Sequence, residues 1–272
     1  MMLRLFALFL VLSAALAGAT KIVLIAGKPS HPPGEHEFNA GIMLLDKWLH
    51  QNKINSVVVK GGWPEDESVF DGAAALVFYM DGGKNHPIIQ GDHLAKIGAL
   101  MKKGVGLACL HYAVEVPSDN GGPEFLDWIG GYYETGYSTN PVNQAAMQQA
   151  APKHPISNGW KSFDARDEWY YRIRFKPEDP RLIPILTTEL PKEAPRREIC
   201  SWAVQRADGG RGFGFTGAHF HTNWGNPDFR RLVLNGILWT AKVKVPAGGA
   251  KSTVTEEELT QNLDPKPPKK LN

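Results

Sequence analysis

Only two cysteines, Cys109 and Cys200, occur in the 272 residues. No disulfide framework can hold such a chain, so its stability has to come from a hydrophobic core, which a body this size can supply. Charge of either sign is also nearly absent in excess: 30 Lys and Arg stand against 28 Asp and Glu, a net charge of +2. That gives no reason to expect nucleic acid or an anionic membrane as partner. Beyond the first twenty residues no apolar run is long enough to span a bilayer. There is no internal repeat, no low-complexity stretch before the tail, and no G-x-S-x-G with a serine at an elbow, which speaks against a serine esterase or amidase. No nucleotide is expected as cofactor.

What is present begins with a leader pattern. Arg4 precedes an apolar run from Leu5 to Leu12, and Ala15-Leu16-Ala17 and Ala17-Gly18-Ala19 both fit small-x-small cleavage. We read residues 1–19 as a signal peptide, hence a periplasmic or extracellular protein without membrane contact after cleavage. An uncleaved anchor is disfavoured because no basic stop-transfer cluster follows. At the other end, residues 247–272 are poor in large apolar side chains and rich in Pro, Lys and Glu, the composition of a flexible tail with one or two helical turns over 255–263. The folded body is then one α/β domain over residues 20–246.

Periodicity supplies the fold class. KIVLIA (21–26), SVVV (56–59), AAALVFY (73–79) and VGLACL (105–110) are short continuous apolar runs, the mark of strands buried on both faces. Helical spacing of Phe38, Ile42, Leu45 and Leu49 predicts a helix over about 38–51, and Leu94, Ile97 and Leu100 mark another that Gly104 ends. Strand–helix alternation implies parallel strands with right-handed crossovers. Later strands are expected over 142–147, 182–187, 199–205 and 212–216, and Asn226-Pro227-Asp228 opens a last helix.

In an open parallel sheet, ligands bind beyond the carboxyl ends of the strands. Six of the nine histidines follow expected strands: His31, His36, His86, His111, His219 and His221. His111 comes directly after a buried run and His219 sits in a similar strand-end context, so a polar ring there must be satisfied or functional. His31 and His86 read more simply as idle loop residues. Asp81 follows the third strand, and Tyr112 follows His111. In FDARDEWYY, Asp164, Asp167 and Glu168 read either as a solvated turn or as a carboxylate held beside Trp169 and Tyr170. Cys109, inside a strand, reads as a packed thiol rather than a nucleophile. The 212–216 strand could run antiparallel, which would leave the arrival of His219 at the site to the sheet's topology.

These segments together resemble the trehalose-utilisation (ThuA-like) family: KIVLIAG with His36 beyond it, GVGLACLHYA with His111, DEWY with Glu168, GRGFGFTGAHFH with His219, and FRRLVLNGILWTAKV. The resemblance covers about residues 21–243. It implies a flavodoxin-like three-layer α/β sandwich with a mostly parallel sheet, related to class I glutamine amidotransferases, with His111 where those enzymes carry a nucleophilic cysteine. It implies trehalose or related disaccharides as substrate class, including 3-keto-sugars, whose carbonyl acidifies the neighbouring C–H. Such chemistry needs a base near neutrality and an electrophile over the carbonyl oxygen. The residues assigned to catalysis are His111, Glu168 and His219. His36, His111, Glu168 and His219 are assigned to a divalent metal, zinc by donor type. Asp81, Tyr112, Trp169 and His221 are assigned to the sugar. The alternative is a non-catalytic carbohydrate-binding protein, which would need aromatics, Asn and Asp more than convergent histidines.

Overall fold

A computed structural model describes residues 20–266; the expected leader, 1–19, lies outside the described residues, as do residues 267–272. The strands are β1 (Lys21–Ala26), β2 (Asn55–Val59), β3 (Ala73–Tyr79), β4 (Gly106–Leu110), β5 (Gly131–Tyr132), β6 (Val142–Gln149), β7 (Phe163–Glu168), β8 (Arg174–Phe175), β9 (Ile183–Leu190), β10 (Arg196–Gln205) and β11 (Arg211–Phe215). The α-helices are α1 (Phe38–Gln51), α2 (His93–Lys102), α3 (Gly122–Trp128), α4 (Pro227–Thr240) and α5 (Glu256–Leu259).

The continuous apolar runs are covered on both faces, as their composition demands. In β1, Ile22, Leu24 and Ala26 join a core with α1 and α4, while Val23 and Ile25 join a second core with α2 and α3. The three layers follow from that split. Nine strands form the sheet in the order β2-β1-β3-β4-β11-β10-β9-β6-β7. From β2 to β11 the neighbours are parallel, in a flavodoxin-like order that reverses between β1 and β3. β11 is parallel to β4 and antiparallel to β10, so its carboxyl end shares the edge used by β1, β3 and β4. From β11 outward the neighbours are antiparallel. Cys109 lies fully buried in the second core, where burial pushes its thiol far up, and Cys200 is pushed up to about 12; neither is bridged.

The segment after residue 246, expected to be flexible, packs along α1 through residue 266. Trp48 donates Nε1–H to the Thr253 carbonyl (2.9 Å), and α5 is closed by a capping box between Thr255 and Glu258. Asp264 accepts from the Phe38 N–H and Asn39 at the start of α1, and its own N–H donates to Glu37. Lys266 reaches the Glu35 carbonyl and lies 3.3 Å from Glu37, with both charged side chains buried. These polar partners offset the ordering entropy that the tail's few apolar residues cannot. No helix among the described residues is long and apolar enough to cross a membrane.

A chain ending at Pro246 should lose at least ~2 kcal/mol of unfolding free energy in denaturant titration, because the Trp48 donor loses its acceptor and Glu37 loses Asp264 and Lys266 while keeping the Gly34 N–H; equal stability would mean the tail is not docked. His86 is fully buried, with Nε2–H donating to the Ala113 carbonyl and Nδ1 accepting from the Ile88 N–H, and burial lowers it to about 4. Below about pH 6.5 the unfolded chain takes up a proton that folded His86 refuses. The stability advantage of the wild type over His86→Gln should therefore shrink as pH falls from 6.5 to 4, and a gap independent of pH would contradict the assignment.

Candidate functional site

Four chain segments converge at the carboxyl edge of the parallel strands. The loop after β1 brings His31, Glu35 and His36, the turn after β3 brings Asp81, the residue after β4 is His111, and the turn after β11 brings His219. His31, His36 and His111 take left-handed backbone conformations (φ +60°, +47° and +54°), as does Ala218 (φ +86°). A non-glycine residue there is held by its surroundings, and such residues cluster at working sites. The loops are laced together by main chain: the His36 N–H donates to the His219 carbonyl (2.9 Å), and the His221 N–H to that of Gly34 (2.9 Å).

The fourth donor arrives from the antiparallel half. β7 is four strand spacings from β11, which in a flat sheet would be about 19 Å. Yet the Asp167 carboxylate accepts from the backbone N–H groups of Ala218 (2.7 Å) and His219 (3.0 Å) and from Asn223 (3.0 Å). The antiparallel half therefore curls back over the end of β11. Burial raises Asp167 to about 6, and these donors act against that rise. Glu168, the next residue, then faces the histidines.

The donor atoms are close and their protons are accounted for. His36 Nε2 lies 3.0 Å from His111 Nε2 and 2.9 Å from His219 Nδ1. Glu168 Oε2 lies 3.6 Å from His111 Nε2 and 3.4 Å from His219 Nδ1. His36 Nδ1 sits 2.9 Å from the Asp81 carboxylate and His111 Nδ1 sits 2.9 Å from the Thr216 carbonyl. Both partners only accept, so both Nδ1 atoms carry the proton and, in the neutral rings, both Nε2 atoms are bare. Burial keeps the rings neutral: it is the largest cause lowering His36 and His111 far below the usual histidine range and His219 to about 4. Two lone pairs thus face each other across 3.0 Å between buried rings.

A small cation would resolve that conflict. All four donor atoms lie within 4.8 Å of one another. A tetrahedral zinc with bonds of about 2.0–2.2 Å sets its donors about 3.3–3.6 Å apart; the two separations to Glu168, 3.4 and 3.6 Å, fall in that range, and the two between imidazoles, 2.9 and 3.0 Å, fall below it. Asp81 and the Thr216 carbonyl stand behind His36 and His111 as the outer partners that orient metal-binding imidazoles. Glu168 is raised to about 7, chiefly by burial and against hydrogen bonding from Tyr170 and Asn140.

The structure brings His36, His111, Glu168 and His219 together and puts Asp81 behind His36. Tyr112 is half-buried on the cleft side, its ring 6.0 Å from that of His36. Two residues assigned to the sugar are elsewhere. Trp169 is fully buried, packed against Phe215 and Phe229, and Gly217 carries no Cβ because one would meet its ring at 2.6 Å. His221 is buried and its Nε2 meets the Leu259 carbonyl (3.0 Å), so it fastens the C-terminal segment. Conversely His31, expected to be idle, stacks on His36 with centroids 3.6 Å apart and lies 3.8 Å from Asp81. Glu35 comes within 3.6 Å of His219 Nε2. Asp167, read with Glu168 as a turn, is the buried carboxylate that fixes the His219 loop. Its signal was the alternation of FDARDE, which turns Ala165 and Asp167 inward and Asp164 and Arg166 outward.

Comparison with solved structures places this fold among known ones. A ThuA-like protein from Bacteroides uniformis aligns with a TM-score of 0.61 at 14% identity, covering 84% of this chain and 94% of its own. A ThuA-like protein from Parabacteroides merdae aligns with 0.59 at 17%, covering 88% and 94%. The carbohydrate deacetylase Agd3 aligns with 0.50 at 11%, over 82% of this chain and 32% of its own. No curated protein matches significantly. The sequence profile of the ThuA family, described as trehalose utilisation, matches residues 23–240, and the chain belongs to that family.

Proposed function

We propose that this chain is an enzyme acting on a (3-keto-)disaccharide or glycoside, with His36, His111, Glu168 and His219 holding a divalent metal, zinc by donor type. The observation that carries the reading is the 3.0 Å approach of two bare imidazole nitrogens, each fixed in that state by a partner on its other nitrogen. When bound, the ion supplies Lewis acidity for a carbonyl oxygen of the substrate. The family's link to trehalose utilisation supports a sugar as substrate.

The chain's own groups provide the proton transfers. Burial raises the Glu168 carboxyl to about 7 with no ion beside it; next to a bound cation it would be ionised, with one oxygen on the ion and the other free to take a proton and return it. In a 3-keto-glycoside the acidified hydrogen is on C2, and the glycosidic oxygen leaves from C1. Glu168 takes the C2 proton, the released electron pair forms the C1–C2 double bond as the C1–O bond breaks, and the departing oxygen takes the proton back from Glu168. His36 and His111 stay neutral throughout, and Asp81 and Thr216 hold their ring orientation.

The test is turnover of 3-keto-glycosides by the purified full chain. His111→Ala should lower kcat/KM by at least ~100-fold while circular dichroism shows an intact fold, since the group acts on the reaction rather than in the core. Cys109→Ala should keep turnover within about twofold while losing ~1 kcal/mol of stability. Undiminished turnover in His111→Ala, or its loss in a folded Cys109→Ala protein, would overturn the assignment.

A further inference from the structure

The cleft beside the centre has a volume of about 720 Å³, well above the low end of ligand pockets at about 300 Å³. One end is bordered by His31, Asp81 and Tyr112, which also border the imidazole centre. At the other end are Trp63 and His93, which the chemistry does not use.

Their rings are parallel, with centroids 3.7 Å apart and planes 4° apart. Each is fastened separately. Trp63 donates Nε1–H to Glu67 (2.9 Å), which Lys96 holds in turn (2.7 Å), and His93 Nδ1 lies 2.7 Å from the Pro87 carbonyl. A carbonyl only accepts, so Nδ1 carries the proton and the neutral ring presents Nε2 as an acceptor. Gln90 spends its amide N–H groups on the Lys84 and His86 carbonyls, which leaves its oxygen as a further acceptor on the cleft wall. Gly61, Gly62 and Gly82 add no side chains to the cleft; at Gly82 a Cβ would lie 2.1 Å from the Tyr112 carbonyl, so the position has to stay bare. The rings cover each other's faces and Phe70 packs on Trp63 at 5.3 Å, so the pair serves the cleft as an apolar wall; with acceptors for hydroxyl groups and glycines along the floor, that wall suits a pyranose, whose C–H face is apolar and whose rim is polar. Both rings are already fixed, so little ordering cost opposes binding.

We propose that Trp63 and His93 form a second sugar subsite, which seats the non-reacting ring of a disaccharide while the reacting ring lies by His31, Asp81 and Tyr112. The proposal rests on the reading that the centre acts on a sugar. It makes the protein select a disaccharide over a single sugar ring.

The experiment is calorimetric titration of the full chain with trehalose and with glucose, for the wild type, Trp63→Ala, Trp63→Phe and His93→Ala. Wild type should bind trehalose at least ~10-fold more tightly than glucose, the size of one good aromatic contact. Trp63→Ala should erase that preference with glucose affinity within about twofold, His93→Ala should weaken it, and Trp63→Phe should keep most of it. If Trp63→Ala does not fold, the other two variants decide. A wild type without preference, or binding neither sugar, overturns the subsite, as does a preference that survives both Trp63→Ala and His93→Ala. Failure of the reaction assigned to the centre reads differently: His111→Ala should keep the trehalose preference, and absent 3-keto-glycoside turnover with that preference intact would indict the chemistry alone.

Discussion

Two imidazole nitrogens stripped of protons, 3.0 Å apart in a buried place, are the constraint on which the rest of this structure turns. Asp81 and the Thr216 carbonyl commit the proton of each ring to the far side. Burial then makes a second proton on either ring expensive, as the lowering of His36 and His111 shows. Left alone, lone pairs facing each other would push the rings apart. With His219 and Glu168 in the same cluster, a divalent cation would turn that repulsion into four bonds.

The scaffold holds this arrangement against its own local preferences. Left-handed φ at His31, His36, His111 and Ala218 costs on the order of 1 kcal/mol at each position. The return comes from main-chain lacing between the loops after β1 and β11, and from one buried carboxylate, Asp167, that collects the N–H groups of the His219 turn. The same carboxylate ties the edge strand β7 to β11, so it sets the site and the curl of the sheet together.

Much of this was legible in the sequence, for a physical reason. Continuous apolar strands mean a parallel sheet, parallel strands share a carboxyl edge, and the histidines after β1, β4 and β11 therefore had to meet if β11 ran parallel. Trp169 was misplaced because the immediate neighbour of a site residue points the other way along an extended chain, here into the core; His221 was misplaced because the chain turns into a short 3-10 helix at that residue, which breaks the shared face of an extended i, i+2 pair and sends its ring to the Leu259 carbonyl. The tail was misread because composition reports apolar burial, whereas Asp264 and Lys266 dock through hydrogen bonds and charge at the start of α1. Trp63 and His93 carried no signal at all, since they sit far apart in the chain and only the folded loops stack them.

Whether the three histidines and Glu168 hold a metal is read from the zinc content and X-ray absorption of the purified full chain after dialysis against zinc. One zinc per chain is expected, with nitrogen and oxygen donors at about 2.0–2.2 Å, absent from His111→Ala. A folded wild type that retains no zinc, or a His111→Ala variant that retains as much as the wild type, would contradict that expectation.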